Sequence, residues 1–129
     1  MKTRSPGVIE AAAMFLGMLA AVVLLSLNSA RMKSRDAKRI ADIRQMASAL
    51  ELYYNDKVQY PEKASMLQPV YIGIIPTAPT PADGKCTVSQ NQYVYQRTAF
   101  NNYSLSFCLG QAADGYAAGI HALSPKGIE

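Results

Sequence analysis

From Val8 to Ala30 the chain reads VIEAAAMFLGMLAAVVLLSLNSA, 23 residues in which Glu10 is the only charge and Ser26, Asn28 and Ser29 the only other polar side chains. As an α-helix this run is about 35 Å long, enough to cross a hydrocarbon core of about 30 Å. It constrains the fold more than any other feature, because a helix apolar on every face must be covered on every face, by lipid or by protein. A secretory signal peptide is the competing reading, and Ser29-Ala30 offers small residues for cleavage. Such a peptide has a shorter core and a change of structure after it. Here the helical pattern continues through AVVLLSLNSARMKSRDAKRI, and no Gly lies between Gly17 and Gly73 and no Pro between Pro6 and Pro61.

Beyond Ala30 charges begin, yet Ala37, Ile40, Ile43, Ala47, Leu50 and Tyr54 recur at steps that place them on one helix face. Arg35, Arg39, Asp42 and Arg44 fall off that stripe. Good helix formers fill the segment. Ser5 suits a cap and Pro6 a first helical position. The expectation is one continuous helix from about Pro6 to about Asn55, roughly 75 Å long. The domain reading follows: a short basic leader-like segment over 1–7, a transmembrane half-helix over 8–30, an amphipathic half over 31–55, and a loop and sheet head over 56–129.

The head has to cover the amphipathic stripe. Tyr60-Pro61 ends the helix, since proline restricts the residue before it. Residues 62–68 read as a short helix. IPTAPTPADG, residues 75–84, reads as an ordered loop. Gln92–Thr98 and Tyr103–Leu109 read as strands joined at Phe100-Asn101-Asn102, with 116–123 as a third. Tyr103, Leu105, Phe107 and Leu109 alternate toward the helix, so Cys108 points away. Cys86 on the proline-rich loop is placed to reach it there. An even cysteine pair in a small domain beside a membrane-type segment points to a disulfide outside the cytoplasm; two buried thiols are the alternative. The fold class is α+β, a long N-terminal α-helix with an apolar transmembrane half and an amphipathic half, packed against a small antiparallel β-sheet.

The formal charge of +4 is uneven. Residues 31–63 hold eight Lys/Arg against five Asp/Glu, and residues 64–129 hold three of each sign. The basic excess sits beside the apolar run, whereas a nucleic-acid domain spreads basic and aromatic residues over its folded surface. His121 is the one histidine, which excludes a multi-histidine metal site, and it reads as a surface residue on an edge strand. No Gly-rich phosphate loop and no Cys-x-x-Cys occurs. Asp83 and Asp114 each precede Gly and read as turns before they read as calcium ligands. Asn102-Tyr103-Ser104 fits a glycosylation acceptor, a frequent chance match. Tyr53, Tyr54, Tyr93 and Tyr95 read as packing residues rather than a stacking platform for sugar or DNA. No catalytic constellation, metal site or cofactor site emerges, and the chain is not expected to be an enzyme. Glu10 has two readings: it lies at the interface, where the helix dipole favours it, or it pairs with a cation on another helix.

The run LAAVVLLSLNSARMKSRDAKRIADIRQMASALELYYND followed by QYP, with the closing NYSLSFCLGQAADGYAAGIHALSPKGI, resembles bacterial type IV pilins and type II secretion pseudopilins over about residues 16–128. The resemblance implies a pilin-like fold held in the inner membrane by the apolar half-helix, single-pass, with the head outside the cytoplasm. It implies later extraction into an extracellular or periplasmic helical filament of identical copies. The implied partners are the inner membrane, sister subunits, a prepilin peptidase and assembly machinery. Gly17, Ala20 and Ala21 then permit close helix approach, Leu24 fills the filament core, and Glu10 pairs with a neighbour. Processing falls between Gly7 and Val8, which puts Glu10 at the third mature position where the family has it at the fifth. Alignment on Gly17 and Ser26-Leu27-Asn28 instead places Val8 at the family's Glu position, and an uncleaved membrane-resident form is the other reading.

Charge asymmetry opposes this orientation: Lys2 and Arg4 on one flank face Arg31, Lys33, Arg35, Lys38, Arg39 and Arg44 on the other, and the positive-inside rule favours a cytoplasmic head. The cysteine pair and the resemblance are taken to override it. A second functional reading makes the chain a minor pilin-like protein whose head binds a ligand such as DNA during uptake, through the cluster from Arg31 to Arg44; nucleic acid is the weaker partner candidate.

Overall fold

The computed structural model describes residues 6–129. Lys2, Arg4 and the expected cap Ser5 lie outside the described residues. Helix α1 spans Pro6–Lys57. A single 3-10 turn follows at Ala64–Leu67, within the segment read as a short helix. Four strands complete the chain: β1 Val94–Ala99, β2 Asn102–Leu109, β3 Gly119–Ser124 and β4 Gly127–Ile128. They form one antiparallel sheet in the order β1-β2-β3-β4. The class is α+β, as expected. The backbone divides after Arg31 into two units.

In the first unit α1 is apolar around its circumference, and its side chains are exposed from Glu10 to Val23 and beyond. By length and composition this stretch can cross a membrane, and none of its apolar window is buried.

In the second unit the rest of α1 supplies Ile40, Ile43, Met46, Ala49, Leu50 and Tyr53 to the core. Tyr103, Leu105, Phe107 and Leu109 of β2 and Leu123 of β3 meet them, and Tyr60, Leu67 and Ile72 close the cluster. The pleat explains the choice. Leu105 pairs with Tyr95 on one side and Leu123 on the other, so one row of apolar side chains faces the helix. Each fully buried aliphatic side chain is worth roughly 1.5–3 kcal/mol. The Lys38–Asp42 pair at 2.9 Å and the Asp36–Arg39 pair at 2.8 Å join successive turns of α1. The helix stops where Val58 takes the left-handed φ of 58° and its N–H donates to the Tyr54 carbonyl at 2.8 Å.

Several expectations need correction. Ala37 is exposed, and Arg39 and Asp42 are buried together with Asp36. Arg39 is in phase with Ile43, Met46 and Leu50, and the buried stripe simply continues through it. The third strand begins at Gly119 rather than 116, because Ala113 and Tyr116 close a separate small bridge. Nor is β3 an edge: β4 pairs Leu123 with Ile128 and Ser124 with Gly127, a contact too short to leave a periodic signal.

Candidate functional site

The residues singled out for assembly lie on α1 of the first unit. Gly7 and Val8, the expected processing positions, are helical. Glu10, Gly17, Ala20, Ala21 and Leu24 are all exposed. Their spacing puts them on one face, since steps of three, four and seven residues return to the same side. Space is open at Gly17, with nothing within 4 Å of where a Cβ would stand. Met14 shares that face, three, four and seven residues from Gly17, Glu10 and Ala21, and the other faces carry Phe15, Met18, Val22, Val23 and Leu25, the last 72% exposed. That face is thus locally narrow at Gly17, Ala20 and Ala21, between the larger Met14 and Leu24, with a carboxylate at its start.

The second unit holds a polar centre that sequence reasoning missed. The Arg39 side chain is completely buried, and its five N–H donors each meet an acceptor. Nε donates to Asn91 Oδ1 at 3.1 Å. Nη1 donates to Asp36 Oδ1 at 2.8 Å and Asp83 Oδ2 at 3.1 Å. Nη2 donates to the carbonyls of Pro79 at 3.0 Å and Pro81 at 3.1 Å. Asp36 also accepts from the main-chain N–H of Gly110 and of Gln111, both at 3.0 Å. Asp83 is gripped from outside by Arg35, whose Nε and Nη2 donate to its two oxygens at 2.7 Å. Such forked pairing suits the planar guanidinium. The Arg35 hydrogen bonds hold the Asp83 carboxyl below the usual carboxylate range, with Arg39 adding to the effect and burial opposing it. Among the described residues no buried side-chain nitrogen or oxygen lacks a partner.

Local sequence makes this packing possible. A Cβ on Gly110 would stand 2.8 Å from the main-chain carbon and oxygen of Asp83, so only glycine allows the two backbones to touch. Gly84 has a φ of +48° and meets the same surface. Beside this contact Cys86 and Cys108 form the expected disulfide, with Cα atoms 5.9 Å apart. Its closed loop is worth about 3 kcal/mol by chain entropy.

The basic cluster from Arg31 to Arg44 is largely used internally. Arg35 pairs with Asp83, Lys38 with Asp42, Arg39 with Asp36 and Asp83, and Arg44 with Asp114. The two carboxylates weighed as calcium ligands are therefore held by guanidinium groups. Among the described residues no cluster of three or more His, Cys, Asp or Glu has a metal-binding arrangement. The tyrosines pack. Tyr53 is in the core, and Tyr54, Tyr93 and Tyr95 pack against it. Tyr93 donates to Asp42 at 2.8 Å and Tyr95 to the Pro61 carbonyl at 2.6 Å. Burial pushes the Tyr95 phenol up to about 12. His121 stacks on Phe107 with ring centroids 5.7 Å apart, between the Ala117 and Glu129 carbonyls.

One signal for the Arg39 centre was present: Asp36 and Arg39 prolong the phase of the apolar stripe, which a solvated ion pair does not need to do. Its partners Asp83 and Asn91 carried none, because Asp83-Gly84 reads equally well as a turn. Comparison with family models, curated proteins and solved structures found no match.

Proposed function

We propose that this chain is a structural subunit of the pilin or pseudopilin kind, inserted in a membrane and then polymerised through the apolar half of α1. One observation carries the reading. A single helix has one half buried against its own sheet and the other half, with the same apolar character on all sides, exposed throughout. The exposed half needs a cover, and lipid and sister helices are chemically equivalent covers. The face at Gly17, Ala20 and Ala21 lets helix backbones approach closely, and Glu10 offers a carboxylate to a cation on a neighbour. Head-to-tail contacts between identical copies do not close into a ring unless the rotation permits, so the product is a fibre. The disulfide accords with a head outside the cytoplasm.

The test uses cysteines placed at Ala13 and Ala21, more than two turns apart on α1 and too far apart to bridge within one chain. Each copy of the full chain then carries two thiols, and it is expressed in native membranes and oxidised. Polymerising copies yield a ladder of cross-linked species. Gly17→Arg abolishes the ladder while the chain stays in the membrane fraction with Cys86–Cys108 intact. A simple anchored monomer gives no ladder from the start, and a ladder that survives Gly17→Arg rules out this helix face.

A further inference from the structure

Four of the five acceptors around Arg39 belong to Pro79, Pro81, Asp83 and Asn91, on a stretch with neither helix nor strand. Only Asp36 is on α1 with it. Among the described residues, one backbone hydrogen bond ties that stretch to the sheet side, from Lys85 N–H to the Gly110 carbonyl at 3.2 Å. The covalent tie is the Cys86–Cys108 bond. Cys86 donates its N–H to the Asp83 carbonyl at 2.9 Å, so the bond and the carboxylate belong to one tight turn. On the other side Cys108 lies two residues before Gly110, whose N–H holds Asp36. The disulfide therefore registers both walls of the cradle that contains the buried cation.

We propose that Cys86–Cys108 is a redox latch on Arg39. A dithiol reductant opens it: the Sγ–Sγ bond breaks, each cysteine gains a hydrogen, and the reductant supplies two electrons and two protons and leaves as a disulfide. Residues 79–91 then separate from the sheet side and take four of the five acceptors with them. A guanidinium with one remaining partner does not stay dry, so Arg39 turns to water and Arg35 loses Asp83. Oxidation returns the stretch and buries the charge again. The closed state has a neutralised α1 surface at this level, and the open state displays two guanidinium groups there.

Coupling of this kind is reciprocal: if the bond holds the network, the network holds the bond. The full chain in detergent micelles is equilibrated with mixtures of reduced and oxidised dithiothreitol, and the thiol fraction is counted by mass. Asp83→Asn raises the equilibrium constant for reduction about tenfold, about 30 mV for a two-electron couple. Ile43→Val, fully buried in the core outside the cradle, leaves the constant unchanged. In the reduced wild-type chain, amide exchange accelerates over residues 79–91 while β2 and β3 stay protected. A constant unmoved by Asp83→Asn shows that the network outlives the bond and overturns the latch. Equal shifts in both variants show that reduction unfolds the entire core and overturn it as well.

Discussion

At the scale of single residues, Arg39 shows how a charge can serve as a core residue. Desolvating a guanidinium costs several kcal/mol, and only complete pairing offsets it. With all its donors satisfied, Arg39 is tolerated. With a neutral side chain in its place, the buried Asp36 carboxylate keeps its two main-chain donors but, among the described residues, loses its only cation, and the buried Asp83 loses one of its two. Arg39→Met is therefore expected to destabilise the folded head by about 3–5 kcal/mol, read from urea unfolding of the full chain in micelles. Asp83 makes stability depend on pH. Its folded pKa lies below the unfolded value of about 3.9, so its contribution is fully present above that value and is lost as pH falls through the folded one. Asp83→Asn should flatten the stability profile below about pH 4, and a wild-type acid limb retained in the variant would assign the effect elsewhere. The centre was hard to foresee because Arg39 and Asp83 are 44 positions apart. Charge alternation around Arg39 looks the same in a solvated helix, and only the loop path makes it a core.

At the scale of elements, α1 and β2 could be read closely from periodicity, while β1, expected at Gln92–Thr98, runs Val94–Ala99. A period of 3.6 residues persists past the last charge-free turn, and a period of two runs through Tyr103–Leu109. The end of α1 was expected two residues early, at Asn55 rather than Lys57. Its true stop is Val58, a β-branched residue held at φ 58°, where glycine or asparagine is the usual occupant. Val58 is largely exposed, so its side chain adds little packing to offset that strain. Val58→Asn is expected to stabilise the head by about 1 kcal/mol, or several degrees in Tm for a domain of this size. A lowered Tm would mean that the side chain packs usefully despite its exposure. β4 escaped notice because two residues cannot display a period.

At the scale of the whole molecule, α1 belongs to two energetic regimes. In the second unit one apolar stripe of α1, from Ile40 to Tyr53, is buried and sustains the core; the apolar residues of the first unit are exposed and sustain nothing within the chain. Ile43→Ala should accordingly cost the head about 2–5 kcal/mol. Leu24→Asp should leave head unfolding within about 0.5 kcal/mol of wild type, since distant independent sites add. In a bilayer the same Leu24→Asp change carries a penalty of about 3 kcal/mol, seen as reduced membrane insertion. A head that unfolds earlier in the Leu24→Asp chain would refute this division.

By itself the sequence determined the extent of the helix to within two residues, the apolar character of its first half, the alternation of β2 and the cysteine pair, because each is written in residues close along the chain. Tertiary structure alone decided which charges go inside. Burial of an arginine depends on acceptors brought from distant segments, and those arrive only when two glycine backbones touch and a disulfide closes beside them.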